Sequence, residues 1–139
     1  MHALPLHSTV PVRCAADALD LLALAVRHPL QHEVLSFLLD PEGVGGLLVA
    51  VEGTHAPDAL VDVVQLMARV GERVPWASSL VVATVRPAGG VLPGDADRWL
   101  EASAVADEFH IRLMEWFVVS PLGIVCPRDL LGEPERWPE

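Results

Sequence analysis

The stretch SSLVVATVRPAGGVLPGDAD, residues 78–97, contains the strongest indication of the fold. Its first eight residues are rich in apolar and β-branched side chains, which is typical of a strand buried inside a sheet. Prolines and glycines then predict a loop. Gly94 or Asp95 can cap the helix that follows. The stretch therefore predicts a strand, a loop and a helix in succession. The loop resembles the rim of an active site, yet it contains no His, Cys, Ser or Lys.

The flanking sequence predicts an alternation of helices and strands. Apolar residues at helical spacing occupy residues 12–28, 56–74 and 93–110, and Pro29 ends the first of these segments. Shorter apolar or alternating segments predict strands at residues 32–40, 47–53, 78–85, 111–120 and 124–131, with the turn PEGVGG joining the first two into a hairpin. The predicted order is α-β-β-α-β-α-β-β. This order indicates a mixed β-sheet flanked by helices, in the α/β or α+β class.

The chain length of 139 residues suits one domain. We expect an N-terminal arm at residues 1–11, a single domain at residues 12–131, and a frayed C-terminal tail at residues 132–139. No apolar run reaches the ~18 residues that a membrane-spanning helix needs. The N-terminus also lacks the basic start and apolar core of a signal peptide.

Composition narrows the possible partners. The net charge is −10 and all nine basic residues are arginines scattered singly, which disfavours nucleic acid and anionic membranes as partners. The hydrophobic content of 52% excludes disorder. It favours a covered apolar face, as in a homodimer or a complex with another protein, no more strongly than it favours an apolar core. Cys14 and Cys126 lie far apart in apolar surroundings, so we expect reduced thiols and a cytoplasmic protein.

Few residues outside the loop form a catalytic pattern. His28 and His32 are four residues apart, but Pro29 interrupts any helix that would place both on one metal ion. Glu115 lies within an alternating strand, RLMEWF, and is expected to face solvent. The serines lack a nearby histidine, so a Ser–His–Asp triad is not indicated.

The element order and the loop together resemble a known family. Glu33 at the first strand, the hairpin, and a loop with Pro87 and Gly89 are similar to the JAB/MPN domain, the JAMM metalloprotease-like fold. The resemblance is closest to its bacterial RadC-like branch and covers residues 12–131. It implies a layered architecture like that of cytidine deaminases.

The family's metal-binding loop has the form H-x-H-x7-S-x-x-D, preceded by a glutamate that acts as the general base. Aligned by spacing, Asp97 takes the place of the metal-binding aspartate and Gly94 that of the serine. Arg86 and Thr84 take the places of the two histidines, and Glu33 fits the general base. The spacing of the motif is kept, whereas both histidines and the serine are replaced.

These replacements imply loss of zinc, because arginine has no lone pair to offer and carries a permanent positive charge. We expect Arg86 to bridge Glu33 and Asp97 in place of a metal ion. The resemblance then implies a catalytically inactive, metal-free domain that acts as a protein-interaction or scaffolding module, with no cofactor.

Two enzymatic alternatives remain open. One is a metal-independent hydrolase of the JAMM type acting on a small or peptide-like substrate, with Arg86 as the electrophile. The other is a hydrolase with a relocated metal ion held by His28, His32 or His110.

Overall fold

The structure, a computed structural model, describes residues 2–4 and 11–138. Its centre is a six-stranded sheet in the order β1-β3-β2-β4-β5-β6. Only β4 and β5 are parallel, and the other neighbours are antiparallel. This arrangement confirms the predicted mixed sheet and the α/β class. The strands are β1 (His2–Leu4), β2 (Glu33–Leu39), β3 (Gly45–Glu52), β4 (Ser79–Val85), β5 (Arg112–Ser120) and β6 (Gly123–Val125).

Three helices cover the two faces of the sheet: α1 (Ala15–Ala23), α2 (Ala59–Glu72) and α3 (Asp95–Glu108). Helix α1 buries Ala18 and Leu22 against one face, whereas α2 and α3 pack together on the other. Successive residues of a strand point to opposite faces. Each central strand therefore supplies both cores, and β2 and β4 are buried along their whole length. This two-sided burial explains their nearly continuous apolar sequences.

The predicted hairpin of β2 and β3 is present, and its turn is held by Asp40. The Oδ1 atom of Asp40 accepts hydrogen bonds from the backbone N–H groups of Glu42, at 2.8 Å, and Val44, at 2.9 Å. Such a side-chain cap is the usual reason for an aspartate at a turn. The hairpin brings the start of β2 next to the end of β3, which positions part of the candidate site.

The two ends of the chain differ from the prediction. Residues 2–4 were expected to belong to a loose arm, but they pair with β3 as an edge strand. Residues 5–10 of that arm lie outside the described residues. The C-terminal tail is not frayed up to residue 138. Arg136 lies over the ring of Trp99 at 4.2 Å, the Nε1–H of Trp99 donates to Glu133 at 2.8 Å, and Trp137 is buried among the residues beneath α1.

The last predicted strand is also shorter than expected. Strand β6 ends at Val125, and Pro127–Leu131 form a 3-10 helix because Pro127 cannot donate to a strand ladder. This helix carries Arg128 to Glu115, so the expectation that Glu115 faces solvent is wrong. Glu115 is fully buried, and the Nε–H of Arg128 donates to both of its carboxylate oxygens at 3.0 Å. A buried carboxylate needs a partner, and Arg128 is the partner of Glu115.

No helix in the described ranges is long and apolar enough to cross a membrane.

Candidate functional site

The loop after β4 is organised by an ion pair between Arg86 and Asp95. The Nη1–H of Arg86 donates to Oδ2 of Asp95 at 2.7 Å, and its Nη2–H donates to Oδ1 at 3.1 Å. Nη1 also donates to the carbonyl oxygen of Gly90 at 2.8 Å. Both side chains are buried, and Asp95 is fully so. Arg86 is the first residue of the loop, so its guanidinium ties the beginning of the loop to the start of α3.

Asp95 is the centre of this network. Besides Arg86, it accepts hydrogen bonds from the backbone N–H of Leu92, at 2.7 Å, and from Nη1 of Arg98, at 2.9 Å. Burial acts to raise the pKa of Asp95, but the hydrogen bonds from Arg86 and Leu92 and the neighbouring positive charges outweigh it. The pKa of Asp95 is consequently lowered, and the carboxylate is the stable form at neutral pH.

Arg98 carries the network to the surface. Its Nε–H donates to the exposed carboxylate of Asp58 at 2.8 Å, and Nη1 donates to the carbonyl oxygen of Pro93 at 3.0 Å. Two guanidinium groups thus share the single buried carboxylate of Asp95. The positive charge of Arg98 is offset by Asp58. Asp58 is exposed to solvent, where its charge is screened.

Glu33 does not belong to this site. In the register of β2 and β4, Glu33 lies opposite Val85, whereas Val34 lies opposite Thr84. Directly opposed residues share a face, so Glu33 and Thr84 project from opposite faces of the sheet. Glu33 instead accepts a hydrogen bond from Nε of Arg27 at 2.8 Å. The expected bridge from Arg86 to Glu33 is therefore wrong.

Asp97 and Gly94 also differ from the expectation drawn from the resemblance. Asp97 is solvent-exposed in the first turn of α3, and the carboxylate that Arg86 contacts is that of Asp95. Gly94 is the N-cap of α3, as the sequence suggested, but its φ is 89°. A serine is strained in that left-handed region, so the backbone here suits glycine and not the family's serine.

Thr84 and Arg86 do lie together, as predicted, and they line a small cavity of about 70 Å³. The Oγ1 of Thr84 accepts a hydrogen bond from Nε1 of Trp116 at 2.9 Å, which fixes the hydroxyl at the cavity wall. Thr54, His32 and His55 complete the polar lining, and the ring centroids of the two histidines are 4.2 Å apart with an interplanar angle of 46°. The cavity opens toward a wider cleft that both histidines also line.

Asp95 and His55 were not predicted as site residues, and His32 was considered only as a ligand of a relocated metal ion. The sequence places His32 in part: it is two residues before Val34, and residues two apart in an extended chain share a face, but the partner of Val34 comes from the structure. Once Val34 is paired with Thr84, the same parity directs His32 to the side of Thr84. No comparable signal exists for His55, which follows β3 in a loop.

The residues at the family's metal position do not fit zinc. Thr84 is a poor ligand, Arg86 places a cation inside the site, and Asp97 points to solvent. Within residues 2–4 and 11–138 no group of three or more His, Cys, Asp and Glu side chains could hold a metal ion. His28 lines the groove beside α1 and His110 follows the end of α3, and neither lines the cavity that contains His32. They do not form the relocated site considered above.

The chain matches no family model and no curated protein.

Proposed function

We propose that this protein is a non-hydrolytic, JAB/MPN-like scaffolding module that works as a homodimer. The observation that carries the proposal is an exposed apolar groove between α1 and the edge strand β6. The groove has a volume of about 310 Å³, and its lining is apolar apart from Asp20 and His28. Exposed apolar surface with a polar surround is where proteins commonly contact a partner.

The closed loop supports the absence of hydrolysis. A hydrolytic JAMM site needs two neutral histidines and a carboxylate around a metal-bound water. Here the guanidinium of Arg86 takes up the space and is itself neutralised by Asp95. The closed loop thus leaves no place for a metal-bound water between Arg86 and Asp95.

The edge of the sheet supplies the contact surface. Strand β6 is the last strand of the sheet, and in the described part of the chain no further strand pairs with its outer edge. Apolar side chains of β6 and of the turn before it are open to solvent: Leu122 is 84% exposed, Ile124 50% and Val125 39%. A free edge carrying apolar side chains readily pairs with another strand.

A second copy of this chain is the occupant that we propose for the groove. Antiparallel pairing of β6 with its own copy is compatible with two-fold symmetry, which is the commonest symmetry of soluble oligomers. The high negative charge of the chain opposes self-association in general. The lining of the groove itself, however, contains a single carboxylate, Asp20. Two copies can therefore meet here with little like-charge contact.

The test is the molar mass in solution, measured by light scattering after gel filtration at 0.15 M salt for the full chain and two variants. We expect the wild-type protein to have the mass of two chains. Ile124→Asp should have the mass of one chain, because it places charges at the paired edges. The matched control is Leu100→Asp, whose side chain is 49% exposed on α3, on the other face of the sheet. This variant should remain dimeric.

A wild-type protein with the mass of one chain would refute the proposal. So would a dimer that Leu100→Asp dissociates and Ile124→Asp does not, since the interface would then lie on the face of α2 and α3. Circular dichroism of each variant establishes that it is folded before its mass is interpreted.

The proposal includes a cytoplasmic location and no role in nucleic-acid binding. Both cysteines are free thiols. Burial raises the pKa of the Cys126 thiol, and Glu115 raises it further, so this thiol stays protonated. Five of the nine arginines form internal ion pairs: Arg27, Arg86, Arg98, Arg128 and Arg136. Nucleic-acid binding instead needs a clustered basic surface that contacts many backbone phosphates.

A further inference from the structure

We infer that the cavity beside Arg86 is a binding site for a small oxyanion, with a phosphate group as its ligand. This site is independent of the dimer interface proposed above. The cavity lies at the end of β4 and is lined by Arg86, His32, His55, Thr54 and Thr84 together with a few apolar residues. No carboxylate lines it, although the chain has 19 acidic residues.

The donors of the cavity are not used up by the protein. Arg86 makes its hydrogen bonds through Nη1 and Nη2, to Gly90 and Asp95. Since a guanidinium has five N–H groups, its Nε–H and one Nη2–H have no partner among the described residues. Asp95 fixes the plane of this guanidinium, so the remaining donors are already oriented. Such a fixed fork is well suited to oxyanions.

The two threonines add hydroxyl donors. Thr84 accepts the Nε1–H of Trp116, and its own hydroxyl hydrogen is therefore free to be donated. The Oγ1 of Thr54 is buried and has no hydrogen-bond partner in the described part of the chain. A buried hydroxyl without a partner is costly and uncommon in folded proteins. An oxyanion in the cavity would satisfy both hydroxyl groups.

The histidines stand where the cavity meets the wider cleft. In the described structure neither imidazole of His32 and His55 makes a hydrogen bond, and both line the cavity and the cleft of about 590 Å³ outside it. Arg27 and Glu52 line that cleft too. The cavity has space for the anionic group alone. The body of a larger phosphate-bearing molecule would lie in the cleft.

The local charge favours an anion. In the described part of the chain Asp95 is the only carboxylate in contact with Arg86, and it is shared with Arg98. Arg86, Asp95 and the partly buried Arg98 thus carry one excess positive charge among them, which is offset by the exposed Asp58. A cation would be repelled by Arg86, which distinguishes this site from a pair of histidines poised for a metal ion.

The experiment is a titration of the full-length protein, followed by two-dimensional NMR of its backbone amides and histidine rings. The probes are inorganic phosphate and glycerol 3-phosphate, each added at constant ionic strength with chloride as the reference anion. We expect phosphate to shift the signals of Thr54, His55 and Ala88. Tighter binding of glycerol 3-phosphate would identify a phosphomonoester as the ligand, and tighter binding of inorganic phosphate would identify the free ion.

Two variants test the assigned donors. Thr54→Val and His55→Gln should each weaken phosphate binding about tenfold, since each removes one hydrogen bond to a charged group. His110→Gln is the matched control, because His110 is exposed at the end of α3, away from the cavity. It should bind phosphate like the wild type. The amide spectra of all variants show directly whether they are folded.

Three outcomes would overturn the inference. The first is a wild-type spectrum that phosphate changes no more than chloride does. The second is unchanged affinity in both Thr54→Val and His55→Gln. The third arises in a parallel titration with zinc chloride: if zinc shifts the rings of His32 and His55 at micromolar concentration and phosphate does not, the histidines form a metal site.

Discussion

Two buried arginines, Arg128 and Arg86, each form an ion pair with a buried carboxylate, but they differ in how many N–H groups the protein uses. Arg128 donates through Nε to both oxygens of Glu115, and through Nη1 and Nη2 to Asp129, Glu135 and a backbone carbonyl. Arg86 is as deeply buried, but its Nε–H and one Nη2–H have no partner in the described part of the chain, and it lines the cavity beside the loop. The same kind of ion pair is therefore a purely structural tie at the C-terminus and part of a candidate binding site in the loop.

The largest effect is expected at the structural tie. Glu115→Ala leaves the guanidinium of Arg128 buried beneath α3 without its main partner. Removing one member of a buried ion pair costs about 3–5 kcal/mol. Chemical denaturation should show a fall of this size in the free energy of unfolding.

The control uses a carboxylate on the same arginine. Glu135 lies 3.4 Å from Nη2 of Arg128 and is more than half exposed. An exposed pair contributes at most about 1 kcal/mol, so Glu135→Ala should be close to neutral. Equal losses in the two variants would show that the burial of Glu115 is not what makes this contact strong.

The second-largest effect on stability is expected in the loop after β4, and it depends on pH. The pKa of Asp95 is lowered in the folded protein, so its charge contributes stability above the pKa of an unfolded aspartate, ~3.9. That contribution disappears as the pH falls through the lower, folded-state pKa. Asp95→Asn lacks the charge. The variant should be clearly less stable than the wild type at pH 6 to 7, and the difference should shrink below about pH 4.

The measurement is urea unfolding of wild type and variant at a series of pH values. Subtracting the two curves of unfolding free energy against pH removes the contribution of the other carboxyl groups, because they titrate in both proteins. Asp58→Asn is the reference variant, because Asp58 is exposed and contacts only Arg98 of the same network. It should lie near the wild type at every pH. If the gap for Asp95→Asn were constant down to pH 2, hydrogen-bond geometry and not charge would be responsible.

The contrast between the two arginines also shows what the sequence could predict. Periodicity predicted the sheet, its hairpin and the helices, because burial of apolar side chains leaves a pattern with a period of 2 or 3.6 residues. It could not predict the partner of Glu115. That partner comes from a 3-10 helix whose position depends on how the chain folds after β6.

The site was predicted in part for a similar reason. Counting residues placed Thr84 and Arg86 in one site, and they do line one cavity, Thr84 from the end of β4 and Arg86 from the first residue after it. Counting could not decide which carboxylate Arg86 meets, because Asp95 and Asp97 differ only in their position around the first turn of α3. Nor could it show that Glu33 and Thr84 project from opposite faces. That depends on the register between β2 and β4.

The smallest effect is expected at Asp97, which the resemblance assigned to the metal. In this structure Asp97 is exposed, so Asp97→Asn should change the free energy of unfolding by no more than about 0.5 kcal/mol, as for other surface substitutions. Elemental analysis should find zinc far below one equivalent per chain in wild type and variant alike. One zinc ion per chain in the wild type, and none in Asp97→Asn, would contradict both the closed conformation of the loop and the proposal that the protein is not a hydrolase. The loop would then have to open, with Arg86 leaving Asp95, to make room for a metal ion beside Thr84.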